Sequence, residues 1–413
     1  MFKIVRFPSK LQPFFGSLTK QFHWDHFTYF QLLVLLICFS WERRTIAALY
    51  RYLDADRHTH RSRFNNFLNL SRWQPEKALA QKAYELLYLL RPGKGQVVSL
   101  CLDDSKKDKR GKHMEAVGWL HDPLSGTKIR GHQYVQAIIR FRGFTIPFGI
   151  RLYVKHKDCA GLHREFKKLT QLAAELIQSF QAPAGVRVMV LFDSYYLCPA
   201  VVRACRAKGF SFVSTLKSNR NLFKNGRKLK AGEYGKQLFK SKGKQRFSMK
   251  KPSGTVCFHY VDAGWMSLSG IGNAHVVYSR KNKEKNIVPI VSDDPNLSAR
   301  QMIRTYTTRW SIEVFFKDTK QYLGLGQYQN GTCRAAVTHL HLVCFAYALL
   351  THIAITGECA QAKKNAKVAA CPTTSSLQNE LRRIVWDDLV EYLKDLPSGD
   401  SVVKELSRLL IAA

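Results

Sequence analysis

The spacing of hydrophobic and polar positions changes twice along this chain. Up to about residue 95 the apolar residues recur at helical intervals. They predict a strongly apolar helix over Phe27 to Phe39, a second over Arg44 to Leu53, a third over Thr59 to Leu70 and a fourth over Pro75 to Leu90. From Gln96 the pattern shortens to strands. Val97 to Leu102 is a continuous apolar run that meets Asp103-Asp104-Ser105, and a loop rich in Lys and Gly follows from Lys106 to Lys112. Tyr134 to Phe141 and Thr145 to Tyr153 are two further strands about a tight Arg142-Gly143 turn. An amphipathic helix over Glu165 to Phe180 leads to Val186 to Phe192, a second apolar run that ends on an acid, Asp193-Ser194. A helix over Pro199 to Lys208 and a strand over Phe210 to Leu216 complete this alternation.

A segment of different character then intervenes. Lys217 to Lys251 holds thirteen Lys or Arg against the single acid Glu233, and aromatics interleave with the basic residues. Strand-like runs at Thr255 to Asp262, Ala274 to Ser279 and Ile287 to Ser292 make it a β-rich insertion. Helical periodicity resumes through the residues around Tyr306 to Lys320 and the long apolar stretch Ala335 to Ile355. After Thr356 a linker rich in Lys, Ser and Thr runs to about Leu377. Amphipathic helices over Leu377 to Leu396 and Ser401 to Leu410 then suit either docking on the core or dimer contacts. The expected organisation is therefore a helical segment 1–95, a first core segment 96–216, a basic insertion 217–292, closing helices 293–356, and a linker with C-terminal helices 357–413.

With 413 residues and 46% hydrophobic content, the chain can bury a sizeable core and is not disordered. Its formal net charge of +35, from 65 Lys and Arg against 30 Asp and Glu, points to a polyanionic partner. Charge alone does not separate DNA from RNA or an anionic membrane. Ten Cys residues without a Cys-x2-Cys pair read as reduced core residues of a cytoplasmic protein, and structural zinc is not expected. Phe30 to Phe39 is too short to span a bilayer. Ala335 to Ile355 is long enough, but it carries His339, His341 and His352 and is expected as a buried core helix, so no membrane partner is expected. Without a glycine-rich phosphate loop before a helix, ATP use is not expected either.

The most informative stretch is Tyr306-Thr-Thr-Arg309-Trp-Ser-Ile-Glu313-Val-Phe-Phe-Lys317-Asp-Thr-Lys320. On one helix Tyr306, Arg309, Glu313 and Lys320 fall within about 60° of one another and form a polar stripe. Trp310, Ile312, Val314, Phe315 and Phe316 seek burial on the other sides, which places the stripe in or beside the core. A carboxylate there needs a partner or a metal. The plain alternative is an ion pair within the helix, because Arg309 and Glu313 stand four residues apart.

The spacing Tyr-x2-Arg-x3-Glu-x6-Lys resembles the signature of bacterial DDE transposases of the insertion-sequence-four type. The resemblance covers residues 96 to about 330. It implies that Glu313 is the third catalytic carboxylate, with two upstream Asp residues each closing an apolar strand. Both are present, at Asp103 and Asp193. Three strands followed by alternating helix and strand also match the order of the ribonuclease H-like fold. The expected fold class is thus α/β: a ribonuclease H-like core, a mixed sheet with flanking helices, carrying a β-rich insertion and a helical N-terminal domain.

That family cuts and rejoins phosphodiesters with two Mg²⁺ ions, for which Mn²⁺ substitutes. Hard oxygen ligands suit those ions. Asp103, Asp193 and Glu313 are the expected catalytic and metal-binding set. Asp104 stays open as the alternative to Asp103, since alternation along a strand sends the two side chains to opposite faces. The resemblance also assigns Tyr306, Arg309 and Lys320 to DNA phosphates, and Lys317 lies close enough on the helix to share that role. Trp265 is a candidate for stabilising a flipped base, against the plain reading of a Trp packed inside the insertion. Arg61 and Arg63 belong to a candidate helix-turn-helix reader of DNA ends, against the plain reading of a packed helical hairpin. The implied function is binding of terminal inverted repeats in double-stranded DNA, metal-dependent cleavage and strand transfer, by at least a homodimer on DNA in the bacterial cytoplasm at the nucleoid. A nuclease without strand transfer and a repurposed DNA-binding protein without catalysis are the alternatives.

Overall fold

The computed structural model describes residues 2–54, 60–122, 126–241, 243–251, 254–282, 284–357 and 372–410. Five helices open the chain: α1 (Gln12–Phe15), α2 (Trp24–Phe39), α3 (Ile46–Tyr50), α4 (Arg61–Leu70) and α5 (Pro75–Leu89). Strands β1 (Val97–Asp108), β2 (Gly118–His121), β3 (Lys128–Phe141) and β4 (Phe144–Tyr153) follow, then α6 (His156–Cys159), α7 (Leu169–Ser179), β5 (Arg187–Phe192), α8 (Pro199–Ala207) and β6 (Ser211–Thr215). The insertion comprises β7 (Asn221–Lys224), β8 (Arg227–Lys230), α9 (Ala231–Ser241), β9 (Gln245–Lys251), β10 (Gly254–Leu268), β11 (Gly272–Lys281) and β12 (Val288–Ser292). Helices α10 (Ala299–Thr308), α11 (Trp310–Tyr322), α12 (Cys333–Thr356), α13 (Thr374–Lys394) and α14 (Gly399–Leu409) close the chain. Residues 55–59, the connection expected before a candidate reading helix, lie outside the described residues.

Strands β4-β3-β1-β5-β6 form one half of a mixed sheet. β1, β3 and β4 pair antiparallel, while β1, β5 and β6 run parallel. This arrangement, with helices on its flanks, is consistent with the expected ribonuclease H-like core. The β3–β4 turn is tight because Arg142 and Gly143 both take positive φ, 46° and 82°, as a two-residue hairpin of matching twist requires. The insertion does not stand apart as a separate sheet. β12 pairs antiparallel with β6, and β11 and β10 continue from it, so among the described residues twelve strands share one sheet.

The end of one expected strand shifts, and an unexpected strand appears, for a common reason. β1 was expected to end at Leu102, followed by a loop, yet its ladder with β3 runs on from Asp103↔Gln136 to Asp108↔Gly131. Backbone pairing with a fourteen-residue partner sets the end of the strand, not the loss of apolar side chains. The two acids therefore lie inside β1. The same long partner recruits β2, which carried no sequence signal.

The core is continuous across the segments. α2, buried from Phe30 to Phe39, has no polar face and needs neighbours all round. It packs on α4, α12 and α13, so the N-terminal helices sit directly on the closing ones. α12 is long and apolar enough to cross a membrane by length and composition, but 83% of its most apolar window is buried inside the protein. At the termini, Phe2 bridges to Leu410 and Ile4 to Leu53, while Arg408 grips Asp54 at 2.6 and 2.7 Å. Of the two uses open to the C-terminal helices, docking on the core is what α13 does, against α12, α2 and α11.

Candidate active site

The site begins with strand register. β1 and β5 are parallel neighbours, matched from Val97↔Arg187 to Cys101↔Leu191. Two residues further on, Asp103 and Asp193 reach the same level, where β5 has just ended at Phe192. Matched residues of a parallel pair point to one face. Cys101 identifies that face, because its Sγ lies 3.9 Å from Ser311 Oγ of α11. Asp193 is fixed by its own turn: its Oδ1 accepts backbone N–H bonds from Tyr195 at 2.9 Å and Tyr196 at 3.3 Å.

Above this face, α10 and α11 bring the third acid. The capping box of α10 is Ser298 with Gln301, which fixes its start. The polar stripe expected on one helix spans two, because α10 ends at Thr308 and α11 begins at Trp310, with Arg309 at the junction. Arg309 Nη1 donates to Asp103 Oδ2 at 2.9 Å, and its Nη2 donates to Glu313 Oε1. The intrahelical pair therefore exists, and the same guanidinium reaches across 206 residues of sequence to β1. Tyr306 lies under it, with the guanidinium carbon 5.6 Å from the ring, and its hydroxyl donates to Thr215 Oγ1 at 3.3 Å.

Asp104 points elsewhere. Its Oδ1 accepts from the Tyr196 hydroxyl at 2.9 Å and its Oδ2 from Gln133 Nε2 at 2.6 Å. Its own N–H donates to Asp103 Oδ1 at 2.9 Å. Tyr196 and Gln133 were not legible as site residues. The one available signal was a polar-tipped aromatic three residues after Asp193.

The electrostatics follow from crowding carboxylates into a half-closed site. Burial pushes the Asp103 carboxyl up to about 7, with Arg309 opposing and the charges of Asp193 and Asp104 adding to the rise. Burial also raises Asp193, against its two backbone hydrogen bonds and Arg309. Burial alone would lower Arg309, but Tyr306, Asp103 and Glu313 more than reverse this and hold it protonated. Three carboxylates are hard oxygen donors of the kind a divalent cation prefers. Among the described residues, however, no three His, Cys, Asp or Glu side chains converge closely enough to hold one ion. The Arg309 guanidinium stands between Asp103 and Glu313, in the position of their counter-charge.

The other expected residues are spread more widely. Lys320 is half-buried, and burial together with Lys107 lowers its pKa. Lys317 is exposed on the same helix. Arg61 and Arg63 are exposed on α4, which buries Phe64, Phe67 and Leu68. Trp265 is 47% exposed, with its ring stacked on His275 at 5.8 Å, so it is not packed inside the insertion. It stands on β10, five strands from β1, roughly 24 Å at ordinary strand spacing. Trp310 and Val314, expected to be buried, are 62% and 41% exposed. They line a cleft of about 880 Å³ with Arg140, Arg142 and Lys250, on a different face of α11 from the acids.

Comparison with known families adds two matches. The family model described as DDE superfamily endonuclease matches residues 13–256, more than half of the chain and including Asp103 and Asp193. The model described as Transposase DDE domain matches residues 164–349, including Asp193 and Glu313. No curated protein matches the chain.

Proposed function

This chain belongs to the DDE superfamily endonuclease family, and on that premise we propose that it is a transposase of the insertion-sequence-four type. Family membership makes it a nuclease-type enzyme of the transposase kind whose substrate is DNA, in a family that generally uses divalent metals. The finer reading is that it binds the terminal inverted repeats of its own element, pairs two ends through at least two protomers, cuts them and joins them to target DNA.

The observation that carries this reading is the pairing of Asp103 with Glu313 through one guanidinium, on a strand whose register sets Asp103 level with Asp193. As they stand, Asp103, Asp193 and Glu313 do not converge on one ion, because Arg309 occupies the space between Asp103 and Glu313. With Arg309 drawn off one of these acids, the three would be the residues to hold two Mg²⁺ ions, which when bound supply an activated oxygen nucleophile, a stabilised leaving oxygen and charge neutralisation at phosphorus.

The protein's own groups do the positioning. Arg309 is a planar fork already paired with two carboxylates, and it exchanges one of them for a DNA phosphate when substrate arrives. Tyr306 backs the guanidinium and limits its swing. Lys320, half-buried beside Lys107, offers a compact charge to a neighbouring phosphate, and Lys317 offers a more solvated one. The insertion's excess of cations holds flanking DNA through counterion release, so affinity falls with salt at a log-log slope near −0.9 per phosphate.

A plasmid carrying the DNA that flanks the gene tests the function. Metal-dependent cuts at both element ends and joined products, absent with Glu313→Gln, are expected. Cuts without joining would leave a nuclease, and metal-independent binding without cuts would leave a DNA-binding protein.

A further inference from the structure

Two aspartates stand side by side on β1, but their surroundings differ. Asp103 opens toward Arg309, Glu313 and Asp193. Asp104 has both carboxylate oxygens engaged by protein donors, the Tyr196 hydroxyl and the Gln133 amide. Both donors are buried, Tyr196 completely.

Traced through its atoms, the arrangement is a continuous chain of bonds from Asp103 to Asp193. The backbone N–H of Asp104 donates to Asp103 Oδ1. The side chain of Asp104 accepts from Tyr196, and the backbone N–H of Tyr196 donates to Asp193 Oδ1. Gln133 anchors these bonds to β3, two residues from Val135, the ladder partner of Asp104. The parallel ladder between β1 and β5 stops at Cys101↔Leu191, so beyond that point no backbone pairing fixes the distance between the acids. The Asp104–Tyr196 hydrogen bond bridges the gap where the ladder has ended.

We propose that Asp104 and Tyr196 form a positioning buckle that sets the separation of the Asp103 and Asp193 carboxylates, and that Asp104 is not itself a ligand. This rests on the proposed function, in which those carboxylates hold metal. Groups that orient metal ligands through hydrogen bonds typically change metal affinity by about 10- to 100-fold when removed. The buckle therefore acts on metal affinity, leaving the turnover rate at saturating metal nearly intact.

The experiment compares Asp104→Asn, Asp104→Ala, Tyr196→Phe and Asp103→Asn for DNA cleavage over a range of Mg²⁺ and Mn²⁺ concentrations. Mn²⁺ binding is also followed directly by electron paramagnetic resonance. Asn retains an acceptor for Tyr196 and can donate to the Gln133 amide once that amide rotates, so Asp104→Asn keeps the buckle. Asp104→Ala and Tyr196→Phe are expected to raise the half-saturating metal concentration about 10- to 100-fold, with the maximal rate recovered in excess Mn²⁺. Asp104→Asn should stay within about threefold of wild type, and Asp103→Asn should be inactive at every metal concentration. The two buckle-breaking changes should also be non-additive when combined.

An Asp104→Asn variant as inactive as Asp103→Asn would make Asp104 a ligand and overturn the proposal. Unchanged Mn²⁺ affinity in Tyr196→Phe would overturn it as well, while leaving the proposed function standing. Wild-type protein that neither cuts DNA nor binds Mn²⁺ would overturn both.

Discussion

The Arg309 guanidinium lies 2.9 Å from the Asp103 carboxylate and also holds Glu313. One side chain thereby joins the strand and the helix that carry two of the three acids proposed to form the site. Arg309, Asp103 and Glu313 are each less than a third exposed, so the pairing is only partly screened.

Replacing Arg309 with Met leaves two facing acids without their counter-charge. In the absence of divalent metal the variant should lose about 1–3 kcal/mol of stability, less than a fully buried broken pair costs. Added Mg²⁺ should then raise its melting temperature more than that of wild type. Calorimetry with and without Mg²⁺ checks this; equal metal-induced shifts would mean that Arg309 and the cation do not occupy the same electrostatic place.

Lys109, just past the end of β1, is buried and donates to the carbonyls of Gly326 and Tyr328 at 2.7 and 2.8 Å. Burial lowers its pKa to about 7, with Lys107 adding to the effect. The unfolded chain holds this proton to about pH 10.4, so between 7 and 10 the unfolded state binds more protons and folding stability rises with pH, by at most about 1.4 kcal/mol per unit. Below pH 7 both states are protonated and the contribution is flat. Urea denaturation at pH 7 and pH 9 should show wild type gaining about 1–3 kcal/mol relative to Lys109→Met. Parallel pH profiles would show that Lys109 keeps its proton when folded.

Gly131 faces the last residue of β1 across the ladder. A Cβ there would lie 2.2 Å from the Lys107 carbonyl oxygen, a backbone atom that cannot rotate away. Gly131→Ala should cost about 1–3 kcal/mol and pry apart the ends of β1 and β3. Hydrogen exchange at Lys107 to Lys109 should accelerate, and unchanged protection there would argue against so close an approach.

Trp265 is about half exposed, and its ring stacks on His275. Trp265→Ala should therefore melt within about 1 kcal/mol of wild type. If it stacks on a base, DNA should quench the indole fluorescence that this substitution removes; identical quenching in both proteins would take Trp265 out of the DNA interface.

Part of the local pattern around the proposed site was legible in the sequence. Asp193 closes an apolar run, and Arg309 and Glu313 stand at helical spacing; interval alone fitted a plain ion pair equally well, and it was the resemblance to the transposase signature that assigned these residues to a site. What could not be read was set by partners far along the chain. The extension of β1 past Asp103 depends on the length of β3, and the choice between Asp103 and Asp104 depends on a register with β5 some ninety residues later. Tyr196 gained its role only through Asp104, a contact no periodicity announces. The expected burial of Trp310 and Val314 failed for a related reason: apolar residues on a helix indicate a preference, and here a cleft, not a packed element, lies opposite them.

The central claim is that Asp103, Asp193 and Glu313 form one site for divalent cations. Iron-directed cleavage of the polypeptide tests it without knowledge of the DNA ends: Fe²⁺ is bound in place of Mg²⁺, ascorbate and peroxide generate hydroxyl radicals at the ion, and the fragments are sized by mass spectrometry. Cuts clustered near residues 103, 193 and 313, suppressed by excess Mg²⁺ and lost in Asp193→Asn, are the expected result. Cuts elsewhere, or a pattern that Mg²⁺ and Asp193→Asn leave unchanged, would contradict it.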